Sequence, residues 1–195
     1  MNLLGDARHW LEITRAHGIM RRYFVVNGFD GALTMLGLII GFIVAGPAEL
    51  SVIITACLGA AIALGVSGIS SAYVSESAER RRALDELEQT MLTDLRDTSH
   101  GQAARWVPVL IALTNGAAPL CVCLLIIMPL WLSERGVLSA AAPPLPIAAL
   151  TALFVIFSLG VYLGRTAGTS WIRSGLRTLF IAIGTIGLIY AVTRV

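Results

Sequence analysis

Asp30 is the residue whose placement most invites chemistry. It stands in the stretch NGFDGALTMLGLIIGF, inside an apolar run that opens at Tyr23. Seven residues of helix carry it about 10 Å into that run. A carboxylate at the centre of a membrane-spanning helix costs at least about 2.5 kcal/mol, and less towards the helix ends. Packing between apolar helices has no use for such a group, so it points to an ion or substrate pathway. The structural alternative is a carboxylate capped by a neighbouring helix or by water. Asn27 and Thr34 lie three before it and four after it, on the same helix face. Met35 is five on, near that face, with a thioether suited to a soft or borderline metal. Carboxylate, amide and hydroxyl oxygens are the ligands that hard or borderline divalent cations take. Gly28 and Gly31 flank Asp30 and leave room for an ion or another backbone.

Other polar groups sit in apolar surroundings. Ser67, Ser70 and Ser71 lie near the end of the second apolar run, at a depth comparable to Asp30. Ser67 and Ser71 share a face, and they either line a pathway or bond their own i−4 carbonyls. Asn115, Gly116 and Pro119 form a polar, breakable centre in the third run, compatible with a cavity or a kink; Pro119 frees a carbonyl that must be satisfied inside the protein. Glu76 and Glu79 stand three apart at the membrane exit. They either gather cations at a cytosolic entrance or belong to a helix surface compensated by Arg80, Arg81 and Arg82. Cys57, Cys121 and Cys123 all lie in apolar runs and read as small buried hydrophobes, with a soft-metal site as the alternative. Their odd number argues against a disulfide framework. His9 and His17 stand eight apart without a partner and read as solvated residues. No nucleophile–base pair, phosphate loop, HExxH or CxxC appears, so no enzyme and no bound cofactor are expected.

Composition says what must position these groups. The 195 residues are 56% hydrophobic and only 13% charged, about half the charge of soluble domains, with a mean hydropathy of +0.80. The expected solvent is lipid. A net charge of +2 gives no general attraction to nucleic acid. Crossing the hydrocarbon core takes about 20 apolar residues. Five segments qualify, at roughly Tyr23–Ala45, Leu50–Val74, Trp106–Leu132, Leu145–Leu163 and Leu176–Val192. The predicted fold is therefore all-α, a polytopic membrane protein with five transmembrane helices. Residues 1–22 form a cytosolic N-terminal segment, in which Trp10, Leu11, Thr14, His17 and Gly18 suggest a short interfacial helix. That segment lacks the continuous apolar core of a signal peptide, so no cleavage is expected. Residues 23–195 form the membrane domain.

Gly46-Pro47-Ala48-Glu49 makes a tight first turn, and Pro143, Pro144 and Pro146 mark the third connection as a loop. Only Ser75–Arg105 is a long, charged connection. Leu84, Leu87, Met91 and Leu95 recur in it at helical spacing, so the second helix runs on as a cytosolic amphipathic helix, in an insertion at about 76–104. Asp97-Thr98-Ser99-His100-Gly101 is expected to break it. Gly37 with Gly41, and Gly160 with Gly164, have the small-xxx-small spacing of close helix pairs, either ordinary packing or a dimer seam.

Arginine sets the orientation, there being no lysine. With the N-terminus inside, the inside segments hold Arg8, Arg15, Arg21, Arg22, Arg80, Arg81, Arg82, Arg96, Arg105, Arg165, Arg173 and Arg177. The outside segments hold only Arg135 and Arg194. That asymmetry places the N-terminus in the cytosol and the C-terminus outside, in a multi-pass protein of the cell (inner) membrane.

Three blocks, in this order and spacing, resemble the vacuolar iron transporter family, the iron and manganese exporters related to nodulin-like proteins. They are RRYFVVNGFDGALTMLGLIIGF, with its Asp30-Gly31; SAYVSESAERR at the close of the second helix; and FSLGVYLGRTAGTSWIRSGLRTLFIAIGTIGLIYAV at the end of the chain. The likeness spans nearly everything from Arg21 to Val195. It implies a five-helix homodimer with a metal pathway between protomers, and proton-driven export of ferrous iron or manganese from the cytosol. Asp30 would bind the cation and exchange it for protons. Two departures stand out. Ala72 occupies a position where many members have Glu, and about thirty residues replace the larger Glu-rich metal-binding domain of many members. A membrane scaffold of the same fold, or a transporter of another solute, is the alternative.

Overall fold

The computed structural model describes residues 10, 11, 14, 16–137 and 143–193. Those residues are helical, with turns between and no strand. Five helices follow one another: α1 Ala16–Ala45, α2 Leu50–Met91, α3 Ser99–Glu134, α4 Pro144–Thr166 and α5 Trp171–Thr193. All five are long and apolar enough to cross a bilayer. This is the architecture of a multi-pass membrane protein, and its apolar helices suit association with lipid. Helices answer a solvent that offers no hydrogen bonds, because each satisfies its backbone within the segment.

The helix ends show which local chemistry decides. α3 stops where Gly136 takes a φ of +71°; the Val137 N–H donates to Leu132 O at 2.9 Å and the Gly136 N–H to Ser133 O at 3.0 Å. α4 stops in the same way at Gly168, φ +67°, with the Ala167 N–H on Leu163 O and the Thr169 N–H on Gly164 O. Glycine enters this left-handed region at little cost, and the cap satisfies carbonyls that a helix end leaves open. α2 ends instead at Leu92, φ 51°, a conformation costing a residue with a Cβ roughly 1–2 kcal/mol. The Glu88 carboxylate accepts the Leu95 N–H at 2.9 Å and closes that turn.

Three boundaries differ from expectation. His17 and Gly18 belong to the first turn of α1 rather than to a separate interfacial helix. The break after the amphipathic extension falls at residues 92–98, and Ser99, His100 and Gly101 already belong to α3. Pro144 and Pro146 lie in the first turn of α4, where the missing proline N–H would have had no helical partner anyway. Arg8, Arg15, Arg194 and His9, used in the orientation and histidine readings, lie outside the described residues.

The chain divides into two compact units, 1–24 with 65–117, and 25–64 with 118–195. In the first unit Ala16, Ala103, Val107 and Ile111 form an apolar cluster with Trp10, Leu11, Ile19, Met20 and Tyr23 against it. Trp10 stacks on Trp106 with ring centroids 6.4 Å apart. There α2 and α3 cross at glycines: a Cβ on Gly116 would collide with Gly65 O and the Ile69 side chain, and one on Gly68 would lie 3.0 Å from Gly116 Cα.

The second unit holds the larger cluster, with Leu36, Ile39, Ile53, Cys57, Ile126, Leu130 and Ile156 wholly buried. α4 and α5 form an antiparallel hairpin in it. Gly160 lies against Thr178 and Gly175, and Gly164 against Ser174 and Trp171. The Gly160–Gly164 pair therefore serves packing within the chain. Gly41 has no atom within 4 Å of where its Cβ would be, and Gly37 has only Ile189 Cδ1 at 3.9 Å.

Gly116→Leu should cost about 1–3 kcal/mol, the usual range for forcing atoms into a packed contact. It should lower the thermal unfolding midpoint of the detergent-purified protein. Gly59→Leu, at a position with open space, should leave that midpoint nearly unchanged.

Candidate functional site

Asp30 lies at the middle of α1 and its side chain is exposed on the isolated chain. Among the described residues no hydrogen bond or ion pair reaches its carboxylate. Its glycine neighbours are not open space around it. Gly28 is buried against Val122 and Leu159, and Gly31 against Pro119, whose Cα would lie 3.0 Å from an added Cβ. The Cys123 thiol donates to Gly31 O at 3.6 Å. These contacts pin the buried side of α1 at the level of Asp30 and leave the carboxylate on the opposite side.

The exposed side carries a continuous stripe. Asp30, Thr34, Gly37 and Gly41 follow at steps of four, three and four, which places them along one helix face. Thr34, Gly37 and Gly41 are each half-buried. Asn27 precedes Asp30 on that side, is half-buried, and has a partner of its own. Met35 is fully buried, inside the apolar cluster. It is separated from Asp30 by five residues, about 140° around the helix, and shares no surface with the stripe. Cys57 and Cys123 are likewise buried and Cys121 is exposed, all three as free thiols.

In the other unit, Asn115 is buried and its Nδ2 donates to Gly68 O at 2.7 Å. Pro119 has no N–H to give to the carbonyl four residues before it, which is that of Asn115. Gly68 approaches that same carbonyl, its Cβ position 3.1 Å from Asn115 O. Asn115 is thus a clamp between α2 and α3. Ser71 Oγ donates to Gly68 O at 3.4 Å and Ser70 Oγ to its i−4 carbonyl, Val66 O, at 2.8 Å. Ser67 and Ser71 are both exposed.

Glu76 is buried, with 8% of its surface exposed. The Tyr23 hydroxyl donates to its Oε1 at 3.4 Å, and Arg80 Nη2 lies 3.8 Å from its Oε2. Ala72, one turn earlier on the same face of α2, is buried as well. Glu79 is exposed. The sequence reading used Tyr23 only as a span boundary and missed its bond to Glu76. A tyrosine at a span entry is also the ordinary interfacial anchor, so its type alone could not reveal that bond. Among the described residues no three His, Cys, Asp or Glu side chains gather as a metal trap.

No family model matches the chain, and no solved structure matches it. It is similar to an uncharacterized protein of Methanocaldococcus jannaschii, 28% identical over 176 residues, an alignment covering 89% of this chain and 88% of that relative.

Asn115→Ala should lower stability by about 0.6 kcal/mol, the measured mean for hydrogen bonds between membrane helices, and by no more than about 1.7 kcal/mol. The check is the denaturant midpoint of the purified protein. Ser70→Ala, which removes only a local bond, should shift it less.

Proposed function

We propose that this chain exports a divalent metal, ferrous iron or manganese, from the cytosol in exchange for protons. The observation that carries it is Asp30: a carboxylate at mid-helix, exposed on the isolated chain and without a partner among the described residues. Left facing hydrocarbon, it would cost at least about 2.5 kcal/mol near the centre of a span. Something must cover or solvate it. A second copy of the chain, packed along Asp30, Thr34, Gly37 and Gly41, would do both. Small residues let such helices approach closely. Were the two-fold axis of that seam to pass beside Asp30, the residue would lie near its own copy, and two Asp30 carboxylates would face one pathway.

The exchange follows from charge. Ionised, the carboxylates attract a divalent cation and supply oxygen ligands, with Thr34 and Asn27 as further oxygen donors on that side. Protonated, they are neutral and release it. Cation and proton therefore compete for the same oxygens, and a proton gradient drives the cation out. The resemblance of the first-helix block to metal exporters supports the choice of metal. The arginine asymmetry supports a cytosolic N-terminus in the cell membrane.

A scaffold of the same fold is the second reading. It is favoured by Ala72, a buried methyl where many exporters place a second carboxylate.

Proteoliposomes loaded with a metal-sensitive dye separate the two. Ferrous iron or manganese added across a pH gradient should enter vesicles containing the wild-type protein. Asp30→Asn should elute like wild type on size exclusion yet slow uptake by on the order of tenfold or more, as loss of a ligand's support alone costs 10–100-fold. No uptake by the wild type, or equal uptake by the variant, defeats the exporter reading. The combined variant Cys57→Ser, Cys121→Ser and Cys123→Ser should keep most of the transport rate, because two of these thiols are buried in packing. A large loss would instead place thiolates among the ligands.

A further inference from the structure

Where α2 turns back into α3, one unit carries a half-open cavity of about 540 Å³ lined by Tyr73, Ser77, Arg81, Asp85, Arg96 and Arg105, among others, with its four charged side chains exposed. Tyr73, Ser77, Arg81 and Asp85 are successive i,i+4 positions on α2, so one helix face supplies four of the polar walls. The arginine run 80–82 divides its labour. Arg80 pairs with Glu76 and Arg82 with Glu86, each along α2 itself. Arg81, between them, faces the cavity and has no ion pair among the described residues; nor has Arg105. Arg96 reaches Asp94 only at 3.9 Å, with both side chains exposed, a contact of little strength. Three guanidiniums thus stand against the single carboxylate of Asp85. An independent observation concerns Ser77: its Oγ is buried and has no hydrogen-bond partner, although buried hydroxyls are ordinarily paired. Gly101 lets the wall close, because a Cβ there would meet the Arg96 backbone.

We infer that this cavity binds a phosphate group, with Arg81, Arg96 and Arg105 as the cationic wall and Ser77 as a neutral donor. Guanidinium forks match the paired oxygens of phosphate, and the volume lies within the range of small-ligand sites. A cation is disfavoured by the same three charges. The cavity sits where α2 leaves its apolar run, and basic pockets at that level hold lipid headgroups. The phosphate therefore belongs either to an anionic lipid or to a soluble anion. This inference is independent of metal transport at Asp30.

The test uses the full chain in neutral detergent. Native mass spectrometry follows dioleoyl phosphatidic acid, with dioleoyl phosphatidylcholine as reference, and calorimetry follows inorganic phosphate and pyrophosphate. One saturable site per chain is expected. R81Q/R105Q should weaken it roughly twenty-five-fold, two guanidiniums at about fivefold each, and S77A severalfold. R173Q, a basic residue elsewhere, should leave it unchanged. Binding of the lipid alone assigns a headgroup site, and binding of phosphate or pyrophosphate without lipid assigns a soluble anion; both uphold the inference. It is overturned if no probe binds, if R81Q/R105Q and S77A bind like wild type, if R173Q weakens binding as much as they do, or if phosphatidylcholine binds as tightly as phosphatidic acid and neither soluble anion binds. Should R81Q/R105Q fail to purify as wild type does, S77A decides: a severalfold loss upholds the site and unchanged binding overturns it.

Discussion

Helices in lipid gain nothing from hiding apolar side chains from one another, because the surrounding tails are equally apolar. Their association depends on how closely backbones approach and on the few polar bonds that close approach permits. In this chain the approach is made by glycine. Gly65, Gly68 and Gly116 bring α2 and α3 together in one unit, and Gly31 meets Pro119 in the other. Gly160, Gly164 and Gly175 do the same for α4 and α5. Polar groups then act where the glycines have made room. Asn115 reaches the Gly68 carbonyl, and the Thr178 hydroxyl, buried, donates to Gly175 O at 2.8 Å, with Ile156 O at 3.2 Å. Each bond is modest, but each holds a position that dispersion alone would leave free to slide.

The α1 stripe shows the same device without its counterpart. Gly37 and Gly41 have the spacing that elsewhere in the chain meets a neighbouring backbone, yet they meet almost nothing. Asp30 and Thr34 continue the same face. A glycine facing lipid loses packing atoms and returns nothing, and a carboxylate facing lipid is costly. Both costs vanish together if another backbone and a hydrated path cover the stripe. One surface thus accounts for the small residues and the charge, whereas the scaffold reading accounts only for the small residues.

Much of the fold was legible because a bilayer imposes a length. Five apolar runs of sufficient extent became five helices, and Leu84, Leu87 and Met91 of the apolar stripe fall on the extension of α2, whereas Leu95 lies buried in the turn beyond it. The boundaries that differed were set by interactions a linear pattern does not carry. Ser99, His100 and Gly101 look like a break by type, but Gly101 fits beneath the Arg96 backbone and the helix begins there. Pro144 and Pro146 look like loop residues, yet a first helical turn has no use for their missing N–H groups. The depth of Asp30 could be counted from Tyr23. The burial of Met35 could not, since a 140° rotation from Asp30 means little until the core side of α1 is known. Nor could spacing tell that Gly160 and Gly164 face α5 while Gly37 and Gly41 face outward.

Arginine carries two kinds of information here that composition merges. Counted along the chain, it gives a topology, and any arginine on the proper side serves equally. Taken singly, the residues differ. Arg80 is drawn to the buried Glu76, whose second oxygen takes the Tyr23 hydroxyl, so its charge is spent inside the protein. Arg82 is spent on Glu86 in an exposed pair. Arg81 has the residue types for the same arrangement, with Asp85 four residues on, and forms no ion pair with it. It lines one cavity together with Arg96 and Arg105 instead. A cytosolic placement would by itself account for the abundance of arginine at this end of α2. It does not explain why three of them line one cavity with a buried, unpaired hydroxyl, a set of groups that a phosphate would engage.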